Sequence, residues 1–281
     1  MKKSVLLLMI IFLIVFQVFP GRVEAGQIKN SSNNSYGSYG VFIGMDSDNI
    51  DKLLDYKEVV IDASYYTKDQ IDYLHENGVK VYSYLNIGSI EDFRSYYNKF
   101  KDMALGSYDN WPNEKWVDVS NSKWKNYVMN VLGKNLKDKG IDGFFLDNLD
   151  VYSVYKNEKI FKGVLDIING LNAKYNLPII ANGGYDFFTS AIEKNLSVKK
   201  LVYGVNTESV YTTVDFDNNK FLKNSAKERN YAVEYLKDLQ SRGISIYIIE
   251  YTKNSSLSKI INKYYNNLGF KYYISKNLDL N

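Results

Sequence analysis

The chain contains no cysteine. Disulfides, thiolate metal sites, a lipoprotein anchor and a cysteine nucleophile are therefore excluded. It contains one histidine, His75, in the stretch Ile-Asp-Tyr-Leu-His-Glu-Asn-Gly. That is the last turn of an expected helix, where an imidazole suits the helix C-terminus. A single histidine argues against a Ser-His-Asp triad and against a histidine-rich zinc site. Charge of one sign is also lacking: 35 Lys and Arg against 32 Asp and Glu give a formal net charge of +3. No basic surplus points to nucleic acid. No Gly-x-x-x-x-Gly-Lys phosphate loop and no repeat of solenoid length is present. The acid–base chemistry that remains is carboxylate chemistry, and neither a metal nor a cofactor is expected.

Residues 1–25 have the form of a secretory signal. Lys2 and Lys3 make the positive start, Val5 to Phe19 the apolar stretch, and Val23-Glu24-Ala25 a small-residue cleavage site before Gly26. The apolar run is shorter than the roughly 20 residues of a membrane-spanning helix, so no stable membrane insertion is expected after cleavage. Residues 26–39 are Ser, Asn, Gly and Tyr without apolar periodicity and read as a flexible leader. Residues 40–281 suffice for one α/β barrel domain. Export without disulfides fits a secreted bacterial protein, expected as a monomer.

Within that domain, apolar runs alternate with helical patterns. Eight strand candidates lie at 40–44, 58–62, 79–85, 141–147, 178–181, 201–205, 244–249 and 270–274. Between them, Thr67 and Gln70 have capping-box spacing. Trp124, Val128, Val131 and Leu136 lie near helical spacing over 121–139, and Ile160, Val164, Ile167, Leu171 and Tyr175 share one helix face. The pattern predicts a (β/α)8 TIM-type barrel. Seven residues after strand eight are too few for the closing helix, which is expected to be missing or replaced. The long aromatic connection with Trp111, Trp116 and Asp118 is expected to be functional.

The centre of the pattern is Ile141-Asp-Gly-Phe-Phe-Leu-Asp-Asn-Leu-Asp150. Its first half reads as a buried strand, and its second half turns acidic where barrels place their chemistry. The other strand ends offer Asp62, Tyr84 with Asn86, Asn182, Glu208 and Glu250. Glycoside hydrolysis needs two carboxyl groups flanking the scissile bond, and such a rim supplies them. Each residue also has a plainer use. Asp62 and Asp150 suit capping, Asn182 and Asn206 suit turns, and Glu250 could pair with Lys253 at the surface. Tyr84, Tyr152, Tyr185 and Tyr251 could be packing.

Asp142 to Asp150 resembles the signature of the glycoside hydrolase family 114 endo-α-1,4-polygalactosaminidases. Tyr82-Ser-Tyr-Leu-Asn-Ile-Gly88 with Glu91-Asp-Phe-Arg94 is similar to that family's strand-three motif, and Trp116-Val-Asp-Val with Trp124 to its next one. The resemblance runs from about Tyr39 to the C-terminus. One residue departs: Ser89 stands where the family often has Glu. The resemblance implies a polysaccharide substrate built of galactosamine, and a catalytic pair that maps onto Asp147 and Glu208. Asp147 is then the nucleophile, which must stay ionised, and Glu208 the acid and base, with a raised pKa. Asp62, Tyr84, Asn86, Asn148, Asp150, Asn182, Tyr185 and Glu250 are the expected substrate contacts. Two other readings stand beside it: a non-catalytic carbohydrate-binding barrel, favoured only by Ser89, and a glycosidase for another α-linked glycan.

Overall fold

The computed structural model describes residues 38–281. The expected signal segment and nearly all of the expected leader lie outside the described residues. Eight strands form one parallel sheet. In order they are Tyr39–Phe42, Glu58–Ile61, Lys80–Asn86, Gly143–Asp147, Ile179–Asn182, Gly204–Glu208, Ser245–Tyr251 and Lys271–Ser275. They are called strands one to eight below. Strand eight approaches strand one without a ladder of its own. The two are joined by rings, Phe42 and Tyr273 lying 5.2 Å apart. They are also joined by the C-terminal segment, where Gly44 N donates to the Leu280 carbonyl at 3.2 Å. No helix follows strand eight among the described residues. Leu280 turns back instead and is buried with the barrel interior.

The alternation of side chains along each strand sorts the core into two layers. Tyr82, Tyr84, Phe145, Ile180, Tyr247, Ile249 and Tyr251 fill the barrel. Val81, Leu85, Phe144, Leu146, Ile179, Ile246 and Ile248 point outward beneath the helices. The helices follow their sequence signals. Thr67 and Gln70 make the capping box of Lys68–Glu76, and Ser225 with Glu228 makes that of Ala226–Ser241. Helix Glu158–Tyr175 buries Ile160, Val164, Ile167 and Leu171 on one face.

Three segments differ from expectation. Strand six is Gly204–Glu208, not 201–205, because Val198–Leu201 closes a helical turn. A Cβ on Gly204, the first residue of this strand, would meet the Tyr247 ring at 2.7 Å, so only glycine fits there. The expected helix over 121–139 passes through a π-type turn at Val128–Leu132. The long aromatic connection is not a structureless loop. It folds into a three-stranded antiparallel sheet of Ser89–Glu91, Ala104–Ser107 and Glu114–Val117. That sheet stands over the mouth of the barrel at strand three.

Candidate active site

Inward parity at the C-terminal ends selects the site. Asp147 follows Phe145 by two residues, Asn182 follows Ile180, and Glu208 follows Asn206, so all three point into the mouth. Asn182 Nδ2 donates to Asp147 Oδ1 at 3.0 Å and to Glu208 Oε1 at 2.9 Å. Its own Oδ1 accepts from Asn206 Nδ2 at 2.7 Å. The Asn206 Oδ1 accepts in turn from the Tyr39 hydroxyl at 3.3 Å, inside the barrel. This chain fixes which end of the Asn182 amide faces the carboxylates. Two oxygens 3.0 and 2.9 Å from one nitrogen lie no more than about 5.9 Å apart, the sum of the two distances. The other oxygen of Glu208 accepts from the Tyr251 hydroxyl.

The two carboxyls sit in different surroundings. Asp147 is half-buried at the strand end, and Glu208 is exposed. Burial, followed by the charges of Glu208 and Glu114, pushes the Asp147 carboxyl up to about 7, against the opposing hydrogen bonds of Asn182 and Tyr84. The raised value thus falls on Asp147, the residue expected to stay ionised, because it ends its strand among packed side chains.

The remaining expected contacts divide. Asn86 and Asn148 are buried beside Asp147, and Asn86 is its direct neighbour across strands three and four. Both donate to the Ser89 hydroxyl, at 2.7 and 3.0 Å, and to Glu114 Oε2, at 3.4 and 3.3 Å. Gly88 permits this closeness, because a Cβ there would lie 1.8 Å from the Asn148 carbonyl oxygen. Tyr84 is buried in the barrel and donates to Glu91 at 3.4 Å. Tyr185 is partly exposed at the rim and bonded to the Tyr231 hydroxyl at 2.8 Å.

Three expected contacts are held by partners within the protein, although Asp62 also lines the cleft beside strands two and three. Glu250 is fully buried and lies on the outer side of strand seven, since Ile249 and Tyr251 take the inner positions. It accepts from Tyr211 N at 2.6 Å, from Thr212 N at 2.8 Å and from the Tyr265 hydroxyl. It cannot reach a sugar in the mouth, nor pair with Asp147. Asp62 is buried and held by Ser64 Oγ at 2.6 Å and Arg94 at 2.8 Å. Asp150 accepts from Gly184 N at 3.1 Å, tying the loop after strand four to the loop after strand five. Gly183 is required for that tie. Its φ is +71°, and a Cβ would meet Asp150 Oδ2 at 2.1 Å.

Two residues named in the sequence without a site role, Tyr251 and Glu91, and two not named at all, Glu114 and Tyr108, also stand at the mouth. Glu91 pairs with Arg94 at 2.7 Å beside Asp62. Glu114 and Tyr108 belong to the inserted sheet, and burial together with the charges of Asp147, Glu114, Asp150 and Glu208 raises the Tyr108 pKa. Only an unbroken view of that insert could have placed them. A cleft of about 630 Å³ opens beside strands two and three, lined by Tyr84, Asn86, Glu91 and Arg94 among others. Tyr65 and Phe93, 60 % and 58 % exposed, flank the Arg94 guanidinium at its lip.

Known proteins share this architecture. The glycoside hydrolase domain of PelA from Pseudomonas aeruginosa superposes with a TM-score of 0.75 at 17 % identity, over 86 % of this chain and 95 % of that one. Ega3 from Aspergillus fumigatus, solved in complex with galactosamine, gives 0.66 at 21 % identity, over 91 % and 98 %. An uncharacterized protein of Thermotoga maritima is 25 % identical over 75 % of this chain and 69 % of its own length. The model of glycoside hydrolase family GH114 matches residues 32–281. The chain is a glycoside hydrolase and belongs to family GH114.

Proposed function

We propose that this enzyme hydrolyses an exported polysaccharide of α-1,4-linked galactosamine and N-acetylgalactosamine, with retention of configuration. The observation that carries the mechanism is the single Asn182 nitrogen shared by Asp147 and Glu208. Retaining enzymes hold their carboxyls about 5–5.5 Å apart, whereas inverting enzymes leave roughly 6.5–9.5 Å for a water. The two bonded oxygens, held within about 5.9 Å of each other by that nitrogen, support the shorter, retaining separation.

In this reading an Asp147 oxygen attacks the anomeric carbon. The carbon–oxygen bond to the leaving sugar breaks, and Glu208 delivers its proton to that oxygen. A water then enters, gives a proton to Glu208 and attacks the same carbon, releasing Asp147. Asn182 holds both carboxyls in register, and Tyr251 fixes the second oxygen of Glu208.

The raised value at Asp147 has a physical resolution. A protonated amine of the substrate near Asp147 favours its ionised form. Substrate binding is therefore expected to lower the raised Asp147 pKa towards the ionised state that a nucleophile needs.

Support for the substrate is the family, and the galactosamine that Ega3 holds. Export is inferred from the sequence pattern of residues 1–25, and no described helix is long and apolar enough to cross a membrane. The decisive test is NMR of the first-formed product from a defined α-1,4-galactosamine oligomer. An α-anomer supports the reading; a β-anomer ends it.

A further inference from the structure

The inserted sheet carries a carboxylate that the catalytic pair does not use. Glu114 begins the strand Glu114–Val117 and is half-buried. Its Oε2 is saturated: Ser89 Oγ donates at 2.5 Å, Asn148 Nδ2 at 3.3 Å and Asn86 Nδ2 at 3.4 Å. Its Oε1 accepts no hydrogen bond among the described residues. The donors on Oε2 are the last residue of strand three, the serine three residues on and the residue after Asp147, so the group is held close enough for its charge to act on Asp147. Asn86 itself neighbours Asp147 across the sheet.

Glu114 also lacks a cation. In the antiparallel ladder it stands directly opposite Glu91, and like charges in that relation cost stability. The nearby cation, Arg94, is committed elsewhere: it holds Glu91 at 2.7 Å and Asp62 at 2.8 Å. Both of those carboxylates are ion-paired to the one guanidinium, and Glu114 has no ion pair among the described residues. Burial raises its pKa, offset by the hydrogen bonds of Ser89, Asn86 and Asn148 and by the charge of Arg94. A partly buried carboxylate with one oxygen tied and one open, and no protein cation, is a receptor for a ligand's cation.

We propose that Glu114 is a specificity-determining residue that binds a protonated amine on the sugar seated at Asp147, through its open Oε1. The proposal rests on the amino-sugar reading of the substrate and sharpens it: the site selects the free amine over the acetamide. An acetamide carries no charge and offers only a neutral hydrogen bond, which is about half as strong as a charge-assisted one. Ser89 is part of the device. Its short side chain leaves room for Glu114 and donates to it, so the carboxylate that position 89 lacks is supplied from the facing strand.

The test is Glu114→Gln, which keeps the shape and the Ser89 contact and removes the charge. Binding of galactosamine, N-acetylgalactosamine and galactose is measured by calorimetry on wild type and variant, alongside melting temperatures. Wild type is expected to bind galactosamine tightest. Glu114→Gln is expected to weaken galactosamine by tenfold or more while leaving the two neutral sugars within twofold. Glu114→Asp should fall between. Ser89→Ala, which frees Oε2 without removing the charge, should lose less than Glu114→Gln and only for galactosamine. Equal loss on all three sugars, or no preference in wild type, overturns the proposal. Hydrolysis is scored separately on acetylated and deacetylated oligomers. Failure to cleave either sinks the functional reading, while the binding result still decides the role of Glu114.

Discussion

Asp147 and Glu208 are tied to one hydrogen-bond donor, the Asn182 nitrogen that stands 3.0 Å from the first and 2.9 Å from the second. A donor shared in this way sets their separation more firmly than two independent partners would. Asn182→Ala is therefore expected to cut kcat by about 10- to 100-fold through lost alignment, with KM little changed. Asp147→Asn and Glu208→Gln should each cut kcat by about 10³-fold or more. Circular dichroism and melting curves should match wild type in all three. Unchanged kcat in Asn182→Ala would separate the amide from catalysis, and full activity in Glu208→Gln would remove that residue from the pair.

The pH dependence follows from Asp147. Burial, with the like charges of Glu208 and Glu114, lifts its carboxyl to about 7 in the free site. A nucleophile must be ionised, so kcat/KM is expected to fall as pH drops below about 7. Glu114→Gln removes one of the like charges and should move that limb to lower pH. Stability carries the same signature with its own sign. The folded state holds this proton over a window, from the ordinary carboxyl value near about 3.9 up to about 7, where the unfolded chain has released it. Stability from this group is full below the window and is lost as pH rises through it. Asp147→Asn should therefore stabilise the fold more at pH 8 than at pH 4, measured by urea unfolding. The opposite order would mean that the carboxyl is not raised.

How far the sequence exposed this site depends on the residue. Eight apolar runs with helices between them announced the barrel, and Gly-Phe-Phe-Leu-Asp placed Asp147 at a strand mouth because a buried strand that ends in a carboxylate has few other meanings. Glu250 looked equivalent and was not. It and Tyr251 are adjacent, so period-two alternation sends one outward and the other inward, and the sequence does not say which until the register of the whole sheet is known. Strand six moved because Val198–Leu201 closes a helical turn, and the strand begins at Gly204, whose missing side chain accommodates the Tyr247 ring, a contact from 43 positions away that no local pattern reveals. Glu114 was hidden because its strand, Glu114–Val117, opens on two charged residues inside a connection with no long apolar run, unlike the four-residue barrel strands.

The outward position of Glu250 makes a prediction about stability rather than activity. Its carboxylate collects the backbone N–H groups of Tyr211 and Thr212, the Thr212 hydroxyl at 2.5 Å and the Tyr265 hydroxyl. Glu250→Ala leaves those buried donors unpaired, at about 1–3 kcal/mol for each group left unsatisfied. Denaturant titration should show a loss of several kcal/mol, on the order of 3. Glu250→Gln keeps part of the acceptor set and should lose less. At low temperature, kcat per folded molecule should be unchanged in both. A severe kcat loss in fully folded Glu250→Gln would return this residue to the active site.

Export has a direct readout. Lys2-Lys3, the apolar stretch to Phe19 and Val23-Glu24-Ala25 motivate it. Intact-mass analysis of protein recovered from culture medium should show Gly26 as the first residue. Full-length protein held in the membrane fraction would replace cleavage with an anchor and leave the barrel assignment untouched.

The charge of the mouth should be visible in the salt response. Glu208 is exposed, Asp147 and Glu114 are half-buried with no ion pair among the described residues, and the nearby Arg94 is bound to Asp62 and Glu91. The rim therefore presents uncompensated negative charge on a chain whose net charge is only +3. A polymer of protonated amines is drawn to such a mouth, and the attraction is screened as the Debye length shrinks from about 10 Å at 0.1 M salt to about 3 Å at 1 M. kcat/KM on deacetylated oligomers should fall several-fold over that range, carried by KM, with kcat steady. A fully N-acetylated oligomer has no charge to screen and should show no such fall. The two substrates report the same active site, so general salt effects on the fold cancel between them. Equal salt response on both would mean that shape alone, and not the carboxylates of the mouth, brings the sugar in.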